Sequence, residues 1–98
     1  MEKFDDIIKS EKTVLVDFFA TWCGPCQMMH PVLEELHSTF GEKVRILKVD
    51  IDKNQELAAL YNVRSVPTLM IFKAGKMEWR QSGYQDAAAL QQIINQYL

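Results

Sequence analysis

The sequence predicts an α/β sandwich in which helices cover both faces of a four-stranded mixed sheet. Runs of β-branched and aromatic residues, typical of strands, alternate with helical apolar stripes in the order α-β-α-β-α-β-β-α. A helix joins the first two strands, which should therefore be parallel with a right-handed crossover. A tight turn joins the last two strands, which should be antiparallel. Helices on both sides of such a sheet bury its two faces.

Length and composition indicate one globular domain spanning residues 1–98. Of the 98 residues, 48% are hydrophobic and 24% charged, and 11 basic against 13 acidic side chains give a net charge of −2. This balance, without a basic run, argues against a nucleic-acid-binding surface. No apolar run reaches the roughly 18 residues of a membrane span, and the N-terminus lacks a basic segment followed by an apolar stretch. We therefore expect neither a membrane segment nor a signal peptide.

In the first half of the chain, apolar spacing predicts each element. Apolar residues at helical spacing predict a short helix, and a longer apolar stripe that ends at a glycine predicts a second one. Continuous β-branched runs predict strands covered on both faces. The expected elements are a helix at Phe4–Ile8, a strand at Thr13–Phe19, a helix from the Cys23–Cys26 segment to Gly41, and a strand at Val44–Asp50.

In the second half, turn and capping signals separate the elements. Asp52 followed by Gln55 resembles a capping box, which would open a short helix through Tyr61. The dipeptide Ala74-Gly75 predicts a hairpin turn between two strands. The remaining elements are strands at Thr68–Phe72 and Met77–Gln81 and a last helix carrying Leu90, Ile93, Ile94, Tyr97 and Leu98.

The two cysteines of the chain, Cys23 and Cys26, lie at i and i+3 where the long helix begins. That spacing brings their Cβ atoms to about 5–6 Å, close enough for a disulfide after a small adjustment. Cys23 lies nearer the helix N-terminus, where unpaired N–H groups and the helix dipole favour a thiolate. Pro25 suits the first turn because it has no N–H to leave unpaired. The sequence therefore predicts an asymmetric dithiol with one attacking and one resolving sulfur.

The alternative for this pair is half of a zinc site. Cys23, Cys26 and His30 could supply three ligands, but a structural zinc ion usually takes four. The chain has no second cysteine pair, and His37 lies two turns further along the helix. We therefore expect no metal.

The residues around the cysteine pair resemble those of the thioredoxin family. The run Val14–Cys26, which ends in Trp-Cys-Gly-Pro-Cys, is similar to the family's active-site strand and motif. The other matching segments are Val66-Pro67-Thr68, Phe72–Gly75, Pro31 and Gly83. Together these matches span nearly the whole chain, and the cysteine motif followed further on by Val-Pro-Thr is highly specific.

Asp17 is the acidic residue inside the apolar first strand. Burial should raise the pKa of its carboxyl group, which suits a general base near neutral pH, and a solvated edge-facing aspartate is the alternative. The resemblance implies that Asp17 is the family's buried aspartate, which acts on the resolving Cys26. It also implies that Lys48 in the next strand is the partner of that aspartate. A solvated lysine at the strand end is the alternative interpretation of Lys48.

The resemblance further implies a shallow, mostly apolar groove for extended target peptides. Val66 would offer its backbone to such a peptide, and the Val66–Pro67 bond would be cis and face the disulfide. The expected groove residues are Trp22, Gly24, Pro25, Ser65, Val66, Pro67, Gly83 and Tyr84. Outside the site, we interpret His30 as a bystander and Trp79 as a packing residue.

The activity implied by the resemblance is the reduction of disulfides in target proteins. A thioredoxin reductase, an NADPH-dependent flavoprotein carrying FAD, would recharge the dithiol, and the chain itself would bind no cofactor. We expect a cytoplasmic monomer that binds neither nucleic acid nor membranes. One alternative is an exported oxidase or isomerase on the same fold, which Gly-Pro between the cysteines argues against. The other is a binding subunit with incidental redox activity, which the intact motif and Asp17 argue against.

The chain departs from the family pattern at three places. Phe19 stands where bacterial members usually have a second tryptophan, and Ser82 takes a groove position that is more often apolar. The family's N-terminal strand is missing, because the chain starts at the first helix. We therefore expect the strand order second, first, third, fourth, with Val44–Asp50 at an edge that its cationic side chains protect from pairing.

Overall fold

The computed structural model describes residues 3–98, which form one four-stranded sheet and four α-helices. The strands are β1 (Thr13–Phe19), β2 (Val44–Asp50), β3 (Thr68–Lys73) and β4 (Lys76–Ser82). The helices are α1 (Phe4–Ile8), α2 (Gly24–Phe40), α3 (Gln55–Leu60) and α4 (Ala87–Asn95), with a 3₁₀ turn at Gly41–Lys43 after α2. The predicted α/β class and the predicted order of elements are confirmed.

The strands follow the order β2-β1-β3-β4, as the sequence predicts. β1 pairs with β2 in parallel, and this register sets Asp17 opposite Lys48. The β1–β3 and β3–β4 pairs are antiparallel. Within residues 3–98 no strand pairs with the outer side of β2, which agrees with the expected absence of an N-terminal strand.

Strand β1 separates two apolar cores because its side chains alternate between the faces of the sheet. Leu15 belongs to the core built with α2 and α4, whereas Val16 and Phe18 belong to the core built with α1. The same alternation turns Asp17 and Phe19 toward α2. Each large side chain buried in these cores contributes about 1.5–3 kcal/mol relative to an exposed one. The central strand thus holds an acidic residue rigidly beneath the long helix.

Helix α2 begins within the Cys-Gly-Pro-Cys run. Cys23 is its N-cap residue and has extended backbone angles, with φ −94° and ψ 116°. Pro25 lies in the first turn, where its missing N–H leaves no donor unpaired. Gly41 ends the helix with a φ of 55°, a conformation that favours glycine.

The structure corrects three details of the sequence prediction. The capping box is wrong, because Asn54 rather than Asp52 precedes α3 and makes no side-chain cap; the Gln55 amide donates instead to the Asp52 carbonyl oxygen. Helix α4 ends at Asn95, before Tyr97 and Leu98, although Tyr97 still packs against the core. Both hairpin strands also extend beyond their predicted ends.

Candidate active site

Cys23 and Cys26 form a disulfide at the N-terminus of α2. Their Cα atoms are 5.2 Å apart, the spacing that one helical turn imposes. The backbone N–H of Cys26 donates to the Cys23 sulfur at 3.1 Å. A hydrogen bond to this sulfur and the positive end of a helix dipole both favour negative charge on Cys23 once the disulfide is open.

The two sulfur-bearing residues differ in their surroundings. Cys26 has no exposed surface, whereas Cys23 is 6% exposed and lies between Trp22 and Gly24, which are both exposed. The cysteine pair is surrounded by apolar side chains, those of Phe19, Ala20, Ile51 and Val66. Cys26 is thus the more deeply buried of the two cysteines.

Val66 and Pro67 bring the start of β3 against the disulfide. The carbonyl oxygen of Val66 lies 3.6 Å from the Cys23 sulfur, and the Val66–Pro67 bond is cis, as predicted. The carbonyl oxygen of Pro67 accepts a hydrogen bond from the N–H of Gly83. Gly83 has a φ of 96°, a conformation that glycine adopts without the steric strain that a side chain would cause. This bond fixes Gly83 and the neighbouring Tyr84 next to Pro67.

The residues predicted to line a groove differ in exposure. Trp22 is 69% exposed and Tyr84 42%, while Gly24, Pro25 and Ser65 are also exposed. Val66 and Gly83 are half-buried. Pro67 is buried, so it supports the surface from below and offers little area for contact.

Asp52 is a site residue that the sequence analysis missed. Its carboxylate accepts a hydrogen bond of 2.9 Å from the indole N–H of Trp22 and so orients the exposed ring beside Cys23. The signal was present in the topology. The carboxyl ends of the parallel strands β1 and β2 meet at one edge of the sheet, and Trp22 and Asp52 follow those ends.

Asp17 is fully buried in β1, and neither carboxylate oxygen has a hydrogen-bond partner. Burial raises the pKa of this carboxyl group from 3.8 to about 6, and the charge of nearby Lys48 opposes the rise. Lys48 itself is exposed on β2. The carboxyl group therefore titrates near the pH range in which a general base works best.

The candidate metal ligands do not converge. Within the part of the chain that the structure describes, no three histidine, cysteine or acidic residues lie close enough together to hold a metal ion. His30 is half-buried and packs its ring edge-on to Phe19. Trp79 packs against the core, as predicted. Within residues 3–98 no helix combines the length and apolarity that a bilayer crossing requires.

The chain is similar to thioredoxins of known sequence and structure. The Thioredoxin family model matches residues 1–96. The chain is 48% identical over 89 residues to thioredoxin from Bacillus subtilis, covering 91% of this chain and 86% of the relative. It is 47% identical over 95 residues to thioredoxin from Staphylococcus saprophyticus, covering 97% of this chain and 90% of the relative.

Solved structures show the same similarity. A mutant thioredoxin from Halobacterium salinarum superposes with a TM-score of 0.87 at 44% identity, covering 95% of this chain and 80% of that one. Oxidised mitochondrial thioredoxin 3 from Saccharomyces cerevisiae superposes with a TM-score of 0.86 at 34% identity, covering 95% and 86%. The similarity extends over 80% to 90% of each of these proteins. The chain belongs to the thioredoxin family and is a thiol–disulfide oxidoreductase that reduces protein disulfides.

Proposed function

We propose that Cys23 attacks the target disulfide and that Cys26 completes the exchange. The Cys23 thiolate forms a bond to one target sulfur while the target disulfide breaks and its other sulfur leaves as a thiolate. The Cys26 thiolate then bonds to the Cys23 sulfur, and the second target sulfur leaves. The target gains two electrons, and the protein loses two. The observation that carries this order is the Cys26 N–H bound to the Cys23 sulfur at the start of α2.

Asp17 acts as the base for the second step. Its buried carboxylate takes the proton of the Cys26 thiol, and the thiolate becomes the nucleophile. A pKa near 6 leaves this carboxyl group largely ionised at neutral pH and still basic enough to accept a proton. Lys48, opposite Asp17 on β2, stabilises the carboxylate and so limits the rise of its pKa.

The target peptide binds along the surface next to Cys23. An extended segment pairs with the backbone of Val66, while Trp22 and Tyr84 contact its side chains. The remaining contacts come from Gly24, Pro25, Ser65, Pro67 and Gly83. The exposure of Trp22, Ser65 and Tyr84 supports this assignment.

The electrons come from a partner enzyme. A thioredoxin reductase restores the dithiol with electrons from NADPH through its own FAD, and the chain holds no cofactor. A dithiol that works in the reducing direction needs a reducing compartment, so the cytoplasm is its place of action. We expect the working form to be a monomer whose partners are proteins rather than nucleic acid or membranes.

Trapping experiments test the order of attack. Cys26→Ser should accumulate target proteins as stable mixed disulfides through Cys23, because the second attack is gone. Cys23→Ser should trap few or none, because Cys26 is buried. Equal trapping by the two variants would contradict the assignment.

A coupled assay tests the direction of the reaction. The unsubstituted protein with NADPH and a thioredoxin reductase should reduce a protein disulfide catalytically. Failure to accept electrons from the reductase, combined with rapid oxidation of reduced proteins, would identify an oxidase instead.

A further inference from the structure

Among residues 3–98, two residues carry buried polar side-chain atoms without a hydrogen-bond partner. They are Asp17, through both carboxylate oxygens, and His30, through Nδ1. Buried polar atoms are nearly always paired, and exceptions often mark chemistry. The mechanism above uses Asp17 and leaves His30 without a role.

The fold places His30 beside the redox pair. His30 follows Cys26 by one helical turn on α2, which sets their Cβ atoms about 5–6 Å apart. The His30 ring contacts the Phe19 ring edge-on, with centroids 5.9 Å apart. Phe19 lies two residues after Asp17 on β1, so both side chains face α2. His30 therefore lies over the face of the sheet that holds the buried carboxylate.

The other side of His30 reaches solvent. The residue is half-buried, and with Lys48 it lines a groove of about 580 Å³ between α2 and the outer edge of β2. The residue therefore borders water while its Nδ1 atom stays buried. Histidine is the side chain whose ordinary titration range spans neutral pH.

Charged groups of both signs face this imidazole. Asp17 on β1 and Lys48 and Asp50 on β2 lie on the face of the sheet that α2 covers, because side chains alternate along each strand. Glu34 lies one turn further along α2 and lines the same groove. The Asp50 carboxylate accepts the backbone N–H groups of residues 52 and 53, and so part of its charge is already neutralised.

We propose that His30 is a positioning residue of the disulfide exchange, whose protonated imidazole favours the Cys26 thiolate and the Asp17 carboxylate. The covalent step is unchanged: the proton of Cys26 passes to Asp17, the Cys26–Cys23 bond forms, and the bond from Cys23 to the target breaks. The inference rests on the resolving role proposed for Cys26. It predicts that the reactivity of Cys26 depends on the charge of His30.

Two substitutions on the same helix provide the test. In a Cys23→Ser background, Cys26 is the sole thiol. At a pH below about 6, where an imidazole carries a proton, His30→Gln should lower the thiolate fraction of Cys26, read from its rate of alkylation, on the order of threefold to tenfold. His30→Lys, which keeps a positive charge, should restore it. His37→Gln, at an exposed position two turns on, is the control and should change nothing.

Proton NMR of the two histidines gives an independent readout. Coupling between two sites is reciprocal, so the midpoint pH of the His30 ring resonances should differ between oxidised and reduced protein. The midpoint of His37 should be the same in both forms. Identical His30 midpoints in the two forms, together with an unchanged Cys26 alkylation rate in His30→Gln, would overturn the proposal. Neither measurement depends on which cysteine attacks the target, so a failed trapping experiment would be distinguishable from a failure here.

Discussion

Asp17 combines full burial with a carboxylate that has no hydrogen-bond partner. Such a group destabilises the native state when it is ionised, because desolvation is not offset by pairing. Its pKa in the folded protein, about 6, lies above the ordinary 3.8. The folded chain thus binds a proton more tightly than the unfolded chain. The contribution of Asp17 to native stability must therefore fall as the pH rises from about 4 to about 6 and stay constant above that range.

We therefore expect Asp17→Asn to stabilise the oxidised protein at neutral pH. A shift of about two pKa units corresponds to at most about 3 kcal/mol, so the gain in the free energy of unfolding should approach that value near pH 7. The gain should shrink toward zero near pH 4, where the unsubstituted carboxyl group is protonated. Urea unfolding at both pH values measures it. An equal gain at both would show that the charge of Asp17 is not its source.

The bond between Trp22 and Asp52 predicts an effect on activity rather than on stability. Both side chains are exposed, so water replaces the bond in Asp52→Ala and the free energy of unfolding should change by less than about 1 kcal/mol. The Trp22 ring loses its fixed orientation beside Cys23, so reduction of a peptide disulfide should slow. Trp22→Phe removes the same bond, so the double variant should be little slower than the slower single variant. Fully additive losses in the rates would mean that the two residues act separately.

Among the secondary-structure elements, the hairpin between β3 and β4 holds one residue, Ala74, in a strained backbone conformation. Ala74 and Gly75 both have positive φ, 52° and 84°, the conformation of a type I′ turn. Glycine adopts it freely, whereas alanine is strained by roughly 1 kcal/mol. Asparagine tolerates this region and forms the preferred Asn-Gly turn.

Ala74→Asn should therefore stabilise the protein by about 0.5–1 kcal/mol, measured by thermal or urea unfolding. The matched control is Ala88→Asn, the same exchange at an exposed position of α4, which should destabilise by about 0.5 kcal/mol because asparagine is a poorer helix former. If both variants shifted stability in the same direction, the turn strain would not be the cause.

The helices and strands were predictable because the sequence patterns that indicate them are local. The contacts between elements could not be predicted in this way. Apolar periodicity, β-branched runs and turn signals located the four α-helices and four strands, and the family resemblance supplied the strand order and the cis bond before Pro67. The predicted cap of α3 was wrong because the helix begins after Asn54, and Asp52 instead accepts a hydrogen bond from the Trp22 indole, 30 residues away in sequence. His30 was interpreted as a bystander because only the packing of α2 on β1 shows where Nδ1 lies. Such contacts depend on how elements meet in space.

For the whole molecule, the exposed outer edge of β2 raises the question of self-association. The backbone of an outer strand such as β2 could pair with another chain, but Lys43 and Lys48 are exposed beside this edge and discourage such pairing. We expect sedimentation to show one species of 11.4 kDa over about a hundredfold range of concentration. Replacing both lysines with valine should produce dimers at the upper end of that range. The control Lys53→Val, in the loop after β2, should remain monomeric; dimers of the unsubstituted chain would contradict the expectation.

The disulfide joins two residues within a single helical turn, and this has a consequence for the working cycle. Cross-links stabilise a fold according to the length of chain they enclose, and a loop of four residues restricts the unfolded ensemble by only about 2 kcal/mol, compared with nearly 5 for a loop of about a hundred. Opening the bond therefore removes less stability than opening a cross-link that encloses most of the chain would. The protein can therefore pass repeatedly between its oxidised and reduced forms with a modest change in the free energy of unfolding.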